Sequence, residues 1–138
     1  MIAYIDASVL LRIVLVQPEP LEEFGDIEHG VTSRLTQVEC FRTLDRLRVR
    51  NELSDSEVSQ ARAAVLGLMA RLELIELAPD VLRRAAEPMP TQLGTLDALH
   101  LSTALLWHVA TGETPTMATH DVALGVAARA HGLPVVGV

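Results

Sequence analysis

The chain opens with the heptapeptide IAYIDAS, residues 2–8, and this stretch decides the fold. Residues 2–5 are an apolar run, which predicts a short strand. Asp6 follows at the point where the strand ends, and a helix is expected to begin at Ala7 and Ser8. An acidic side chain suits that position because it can accept hydrogen bonds from the free N–H groups of a first helical turn.

Similar short apolar segments recur along the chain and are separated by helical segments. The strand candidates are residues 2–5, 31–34, 73–77, 116–118 and 134–138. Strands of this kind are typical of a parallel sheet that is covered on both faces. The sequence predicts an α/β fold, a three-layer sandwich with a short, mainly parallel sheet of four to five strands flanked by helices. No linker or repeat is found, so we expect one domain over residues 1–138.

The helices are marked by their ends and by their apolar faces. Residues 54–57, Ser-Asp-Ser-Glu, form a capping box in which two side chains satisfy each other's free N–H groups. Apolar residues then recur at spacings of three or four, which predicts one long helix. The segment 36–50 precedes it, so the two are expected to form a hairpin that turns at Asn51. Residues 98–110 are apolar almost all round and indicate a buried helix.

Three more acids, Glu39, Asp97 and Asp121, share with Asp6 a position at the start of a predicted helix. Each could be a helix cap only, and residues 36–39, Thr-Gln-Val-Glu, have the form of another capping box. In a doubly wound sheet, however, helix N-termini lie along one edge, so these carboxylates would converge. Two carboxylates about 4 Å apart repel by about 4 kcal/mol at an effective dielectric of about 20, which exceeds the roughly 1 kcal/mol of a cap. A hard cation would remove this conflict, and carboxylate ligands favour Mg²⁺ or Mn²⁺.

Composition excludes several function classes. The chain has 138 residues, of which 49% are hydrophobic and 21% charged, a balance that supports a globular core. Its net charge is −7, and all 11 basic residues are arginines. The lack of lysine excludes a P-loop lysine, a Schiff-base lysine and the lysine of a receiver domain. Cys40 is the only cysteine, which excludes an intrachain disulfide and a thiolate zinc cluster and fits a small core residue.

The N-terminal region does not predict export or membrane insertion. The apolar run Val9–Val16 is broken by Arg12 and stopped by Pro18, far short of the roughly 20 residues that a membrane span requires. No signal-peptide pattern precedes it. We therefore expect a cytoplasmic protein without membrane association.

Four motifs resemble, in order and spacing, those of the PIN-domain family. They are residues 2–8, residues 36–39, the segment LDALHL at 96–101 and the segment ATHD at 118–121. The likeness runs from end to end, and residues 97–100 are its most specific part. Within this family, the chain resembles the short, single-domain VapC toxins of bacterial toxin–antitoxin pairs.

The resemblance implies a metal-dependent endoribonuclease that cleaves RNA with a metal-activated water and leaves a 5′-phosphate and a 3′-hydroxyl. By position, the catalytic and metal-binding acids would be Asp6, Glu39, Asp97 and Asp121, and their hydroxyl partners Ser8 and Thr119. Asp6 and Asp97 would be direct ligands of one or two Mg²⁺ or Mn²⁺ ions. The other two acids would bind through water or help to activate the nucleophile. The further acid that some PIN domains carry is absent, because residues 122–124 are Val-Ala-Leu.

The resemblance also implies partners. VapC-like proteins form two-fold dimers and bind a cognate VapB-type antitoxin, whose C-terminal segment lies beside the acidic cluster. We therefore expect a homodimer and a toxin–antitoxin hetero-oligomer. An acidic pocket on a chain of charge −7 would attract an arginine-bearing peptide. The predicted hairpin of 36–50 and 54–72 would offer a groove for an amphipathic helix.

A candidate RNA contact lies on the helix that Glu39 is predicted to start. Arg42, Arg46 and Arg50 follow Glu39 at steps of three, four and four, which places the four side chains on one helix face. This arginine ridge could guide a phosphate backbone. It could equally be a solvated face in which Glu39 pairs locally with Arg42, and the sequence leaves both interpretations open.

Two histidines adjoin the acids. His100 lies one turn after Asp97 in an apolar helix and is interpreted as a core histidine bonded to backbone or to a nearby side chain. His120 adjoins Asp121 and is expected to be exposed.

Two rival functions can be weighed. A phosphatase with a nucleophilic aspartate would need a second Asp two residues after the first and a lysine, but Ser8 stands at that position and the chain has no lysine. A catalytically inactive PIN-like scaffold that binds RNA or a protein partner predicts a broken acidic set, whereas all four acids are present.

Overall fold

The structure is a computed structural model that describes residues 1–138. The strands are β1 (Ile2–Ile5), β2 (His29–Ser33), β3 (Glu73–Ile75), β4 (Thr116–Ala118) and β5 (Val135–Val136). The helices are α1 (Ala7–Val14), α2 (Arg34–Val49), α3 (Asp55–Met69), α4 (Pro79–Ala85), α5 (Thr95–Thr111) and α6 (Val122–Ala130), with a short 3-10 helix at Glu22–Asp26. None of the helices combines the length and the hydropathy that crossing a membrane requires.

The five strands form one sheet in the order β3-β2-β1-β4-β5, and every neighbouring pair is parallel. The chain first builds outward from the central β1 to β3 and then returns to the other side of β1. The boundary between β1 and β4 is therefore the topological switch point, where sheets of this kind bind ligands at the carboxyl ends of their strands. Ile5 pairs with Ala118 at this boundary, so Asp6 and Thr119 leave adjacent strands at the same edge.

The central strand is buried on both faces. Ala3 and Ile5 pack into one core cluster with residues of α1, α2 and α3, whereas Tyr4 packs into a second cluster with residues of α5 and α6. All three side chains have no exposed surface. Because successive side chains of a strand point to opposite faces, this alternation produces the three predicted layers. The predicted α/β fold is confirmed.

The cysteine and the helical hairpin agree with their predictions. Cys40 is fully buried, and burial raises the pKa of its thiol to about 12, as expected of a core residue. The capping box formed by Ser54 and Glu57 at the start of α3 is present. Asn51 lies between α2 and α3 with a φ of 58°, a left-handed conformation that Asn tolerates and that reverses the chain.

Several predicted strand bounds are wrong by a few residues. β1 and β4 have the predicted bounds, but the strand predicted at 31–34 begins at His29, which pairs with Ile2 at the start of β1. The strand predicted at 73–77 ends after Ile75, and the one predicted at 134–138 is reduced to two residues. β5 is limited by its neighbour, since only Met117 and Ala118 of β4 pair with it.

The capping box predicted at residues 36–39 is wrong. The helix begins at Arg34, because the Ser33 hydroxyl caps it by accepting a hydrogen bond of 3.1 Å from the Leu35 N–H. The Thr36 hydroxyl instead lies 2.8 Å from that of Thr32. Glu39 consequently lies in the second turn of α2 rather than at its start.

Candidate active site

Asp6 is the most buried of the four acids, with 5% of its surface exposed. Its Oδ1 accepts hydrogen bonds from the Ser8 hydroxyl at 2.6 Å and from the Ser8 and Val9 N–H groups at 3.0 and 3.3 Å. Its Oδ2 accepts one from the Thr119 hydroxyl at 2.8 Å. Burial raises the pKa of Asp6, although the hydrogen bonds from Ser8 and Thr119 act in the opposite direction. The result is a buried carboxylate whose two oxygens are both fixed in orientation.

Two hydroxyls join Asp6 to Asp121. The fully buried Thr119 hydroxyl donates to Asp6 and accepts a 2.9 Å hydrogen bond from the Asp121 N–H. The Ser8 hydroxyl accepts a 2.8 Å hydrogen bond from the His120 N–H. Asp121 then caps α6 by accepting from the Leu124 N–H at 2.9 Å. The start of α1 and the start of α6 are thus connected directly across the switch point.

The C-terminal segment closes over this connection. Gly137 has a φ of 95°, and a Cβ at this position would clash with the Thr119 carbonyl. Its own carbonyl accepts a hydrogen bond of 3.0 Å from His120 Nδ1 if that nitrogen carries the proton. His120 is only partly exposed, and its Nε2 is buried without a partner. The expectation that His120 is exposed is therefore wrong, because its ring lies against the Gly137 carbonyl.

Asp97 is the third residue of α5 and is partly buried. Burial is the main cause that raises its pKa to about 6, and the negative charge of Asp121 is the next. Asp6 and Glu39 raise it further, whereas His100 lowers it. The other three acids therefore all act on Asp97, which fits a position of Asp97 in the same acidic region at the edge of the sheet.

Glu39 reaches this region through His100. Its Oε2 lies 2.5 Å from His100 Nε2, while His100 Nδ1 lies 2.9 Å from the Tyr4 hydroxyl. Burial raises the pKa of Tyr4 far above its ordinary value, so its hydroxyl keeps its proton. The prediction that His100 is a core histidine bonded to a nearby side chain is confirmed. The sequence analysis missed that its partner is one of the four acids, although the three-residue spacing from Asp97 places both on one helix face.

The donor set fits a hard divalent cation. No group of three or more His, Cys, Asp or Glu side chains is arranged to hold a metal ion directly. Mg²⁺ does not require such a group, because it keeps several water ligands and is commonly bound by one or two carboxylates. The region offers carboxylate and hydroxyl oxygens and no thiolate, which suits Mg²⁺ or Mn²⁺. The metal-binding roles of Asp6, Glu39, Asp97 and Asp121 stay predictions.

A polar cleft of about 270 Å³ opens beside Asp121. Ser8, Arg12, Thr43 and His120 contribute to its lining. Arg46 donates a hydrogen bond of 2.8 Å to the Thr43 hydroxyl, which brings one member of the arginine ridge to the wall of this cleft. Arg12 was not identified from the sequence, because it stands alone in an apolar helix.

The arginine ridge is only partly as expected. Arg42, Arg46 and Arg50 are exposed. The alternative of a local Glu39–Arg42 pair is wrong, because Glu39 bonds His100 and Arg42 instead donates to Asp45 at 3.3 Å. The helix that carries the ridge begins five residues before Glu39, and Arg50 lies at its C-cap. An RNA-binding role of the ridge stays a prediction.

Comparisons with known proteins agree with this architecture. The family model described as PIN domain matches residues 3–136. Ribonuclease VapC46 of Mycobacterium tuberculosis is 31% identical over 136 residues, which cover 96% of this chain and 95% of that protein.

Two solved structures share the fold. VapBC2 from Rickettsia felis, bound to a DNA fragment from their promoter, has a TM-score of 0.66 at 13% identity, covering 98% of this chain and 97% of that chain. FitAcB from Neisseria gonorrhoeae has a TM-score of 0.65 at 17% identity, covering 96% and 95%. Since the family model spans almost the whole sequence and the VapC relative aligns from end to end, the chain belongs to the PIN-domain family, among its VapC-type proteins.

Proposed function

We propose that the protein is a Mg²⁺- or Mn²⁺-dependent endoribonuclease and the toxin of a type II toxin–antitoxin pair. The observation that supports this proposal is the arrangement around the buried Asp6 at the switch point: Thr119 bridges Asp6 to Asp121, and the charges of Asp121, Asp6 and Glu39 all raise the pKa of Asp97. An acidic cluster of this kind has no stabilising value by itself, because the charges repel and are partly desolvated. It is suited to a cation that binds a phosphodiester.

The relatives support the reaction class and the setting. The Mycobacterium tuberculosis relative is named a ribonuclease. The structures that share the fold include a toxin–antitoxin complex from Klebsiella pneumoniae, with a TM-score of 0.63 at 16% identity. We infer a cognate VapB-type antitoxin, an RNA substrate, a homodimer and a toxin–antitoxin hetero-oligomer. We also infer that residues 1–138 act as one PIN domain in the cytoplasm.

The residues would divide the work as follows. Asp6 and Asp97 would hold the ion directly, and Glu39 and Asp121 would hold its water ligands or orient the attacking water. When bound, the ion polarises a non-bridging phosphate oxygen and lowers the pKa of a water molecule. Ser8 and Thr119 keep both oxygens of Asp6 in place by their hydrogen bonds. Because these hydroxyls are already fixed before substrate binds, the site is preorganised.

Metal-dependent cleavage of an RNA panel tests this function, with Asp6→Asn as the control. We expect cleavage by the wild type with Mg²⁺ or Mn²⁺, none with EDTA, and loss of both metal binding and cleavage in Asp6→Asn. RNA binding by the wild type without cleavage under any metal would contradict the proposal and favour an inactive scaffold.

A further inference from the structure

We propose that His100 is a positioning residue that sets the orientation of the Glu39 carboxylate and thereby supports metal binding, with Tyr4 holding His100 in turn. This inference rests on the proposed function, since the orientation of Glu39 matters only if Glu39 belongs to a metal site.

The His100 ring has no freedom to turn. Only 1% of its surface is exposed, and both ring nitrogens are engaged, Nε2 with Glu39 Oε2 at 2.5 Å and Nδ1 with the Tyr4 hydroxyl at 2.9 Å. The Tyr4 and His100 rings are also in edge-to-face contact, with centroids 5.9 Å apart and planes at 69°. A ring flip would exchange the nitrogens for carbons and break both hydrogen bonds.

The partners assign the tautomer. An ionised carboxylate can only accept, so Nε2 carries a hydrogen whatever the charge of the ring, and in the neutral ring Nδ1 accepts from the Tyr4 O–H. Tyr4 belongs to β1, two residues before Asp6, while His100 belongs to α5, one turn after Asp97. Two consecutive hydrogen bonds therefore join the elements that carry Asp6 and Asp97 to the helix that carries Glu39.

The hydrogen bond from His100 leaves one oxygen of the Glu39 carboxylate without a protein partner. His100 occupies Oε2, whereas Oε1 has no protein hydrogen bond. The Glu39 side chain is 19% exposed, and without His100 its three rotatable bonds would let the carboxylate turn toward solvent. Removing a group that orients a metal ligand in this way typically lowers metal affinity or activity about 10–100-fold, so we expect a loss of about that size when His100 no longer donates to Glu39.

Two substitutions at His100 separate positioning from packing. In His100→Gln, the amide N–H groups lie near the place of Nε2 and can still donate to Glu39. In His100→Asn, the shorter amide reaches only the place of Nδ1 and leaves Glu39 without a donor. Both variants place a neutral amide in the same buried site, so their losses of thermal stability should be similar.

The test is Mn²⁺ binding alone to the full chain, measured by electron paramagnetic resonance, together with the melting temperature of each variant. We expect affinity near that of the wild type for His100→Gln and about 10–100-fold weaker affinity for His100→Asn. Equal affinity of both variants and the wild type, or equal weakening of both in step with their melting temperatures, would overturn the inference alone. No Mn²⁺ binding by the wild type would overturn the proposed function and this inference with it.

Tyr4→Phe keeps the inference testable if both His100 variants fail to fold. Phe retains the ring and removes only the hydroxyl, so His100 Nδ1 loses its hydrogen-bond partner while the core stays filled. We expect weaker Mn²⁺ binding than in the wild type and no further weakening when Tyr4→Phe is added to Glu39→Gln. A Tyr4→Phe variant that binds Mn²⁺ as tightly as the wild type would overturn the proposed chain of hydrogen bonds.

Discussion

The acidic region at the switch point and the arginine ridge of α2 both carry charged side chains, but different kinds of contact hold those side chains in place. Glu39 and Tyr4 are hydrogen-bonded to His100, 61 and 96 residues away in sequence, and Asp6 combines local hydrogen bonds from Ser8 and Val9 with one from Thr119, 113 residues away. Arg42, Arg46 and Arg48 of α2 each bond to a partner three residues away on their own helix. The side chains of the acidic region are held in place by contacts between separate elements of the fold. The arginine side chains are exposed and are held only by contacts within one helix, so they can change conformation more easily.

The two regions also differ in what they contribute to stability. Exposed ion pairs such as that of Arg42 with Asp45 contribute at most about 1 kcal/mol. The buried Asp6, by contrast, is partly destabilising, since burial raises its pKa despite four hydrogen bonds. Buried groups with perturbed pKa values are concentrated at functional sites, which supports the chemical role proposed for Asp6.

The largest expected effect is that of Asp6→Asn. A direct metal ligand should matter at least as much as an outer-sphere partner, so we expect cleavage to fall by about 100-fold or more. The melting temperature without metal should stay equal or rise, because a buried charge is removed. Asp45→Asn on α2 is the matched control and should leave cleavage unchanged. Equal activity of Asp6→Asn and the wild type would remove the distinction between the two regions.

Thr119→Val and Thr111→Val together compare the loss of a long-range hydrogen bond with the loss of a local one. Losing the buried hydroxyl leaves Asp6 without one donor and the Asp121 N–H without its acceptor, so unfolding should become easier by about 1–3 kcal/mol. The control is Thr111→Val, since the Thr111 hydroxyl donates to the Trp107 carbonyl one helical turn away. We expect that variant to change stability by about 0.5 kcal/mol or less. Denaturant unfolding measures both, and equal costs would contradict the comparison.

Metal binding should depend on pH through Asp97. Its carboxyl is protonated below a pKa of about 6, and the proton must leave before a metal can bind. One such proton weakens the apparent Mn²⁺ affinity about tenfold at pH 5 relative to pH 7. The stability of the metal-free protein should depend on pH in the opposite direction. Because the pKa of Asp97 is raised above 3.8, its protonated form stabilises the fold at low pH, and this contribution is lost as the pH rises through about 6. Titrations at the two pH values that gave equal affinities would contradict this coupling.

The smallest expected effect is that of Arg46→Glu. Arg46 bonds only to Thr43 at the wall of the cleft, so the fold should tolerate the change. We expect weaker RNA cleavage and a salt dependence whose slope is reduced by about one. Arg83→Glu on α4 makes the same charge change at an exposed arginine that pairs with Asp80 instead of lying at the cleft, and it serves as the control. If Arg46→Glu cleaved RNA normally at physiological salt, the arginine ridge would have no role in RNA binding.

The regular elements were predictable because their signals are local. The apolar residues 2–5 and the capping box at Ser54 and Glu57 each act within one element, and both are present. The start of α2 was not predictable in this way. Ser33 and Thr36 are both good capping residues, and the choice between them depends on Thr32, whose hydroxyl lies beside that of Thr36.

The candidate site was predictable as a set of acids but not as an arrangement. Four carboxylates near helix starts pointed to one edge of the sheet because parallel strands share their direction. The hydrogen bond between Glu39 and His100 could not be predicted from the sequence, since it joins α2 to α5 across 61 residues and depends on how the two helices pack. The same holds for the contact of Thr119 with Asp6, which requires β4 to pair with β1.

The most direct test of the central claim, that the four acids form one divalent-metal site, is the anomalous scattering from a crystal soaked in Mn²⁺. The account predicts a peak in contact with Asp6 and Asp97, with Glu39 and Asp121 close by, and no such peak in Asp6→Asn. Mn²⁺ bound elsewhere on the surface, or no peak among these carboxylates, would contradict it.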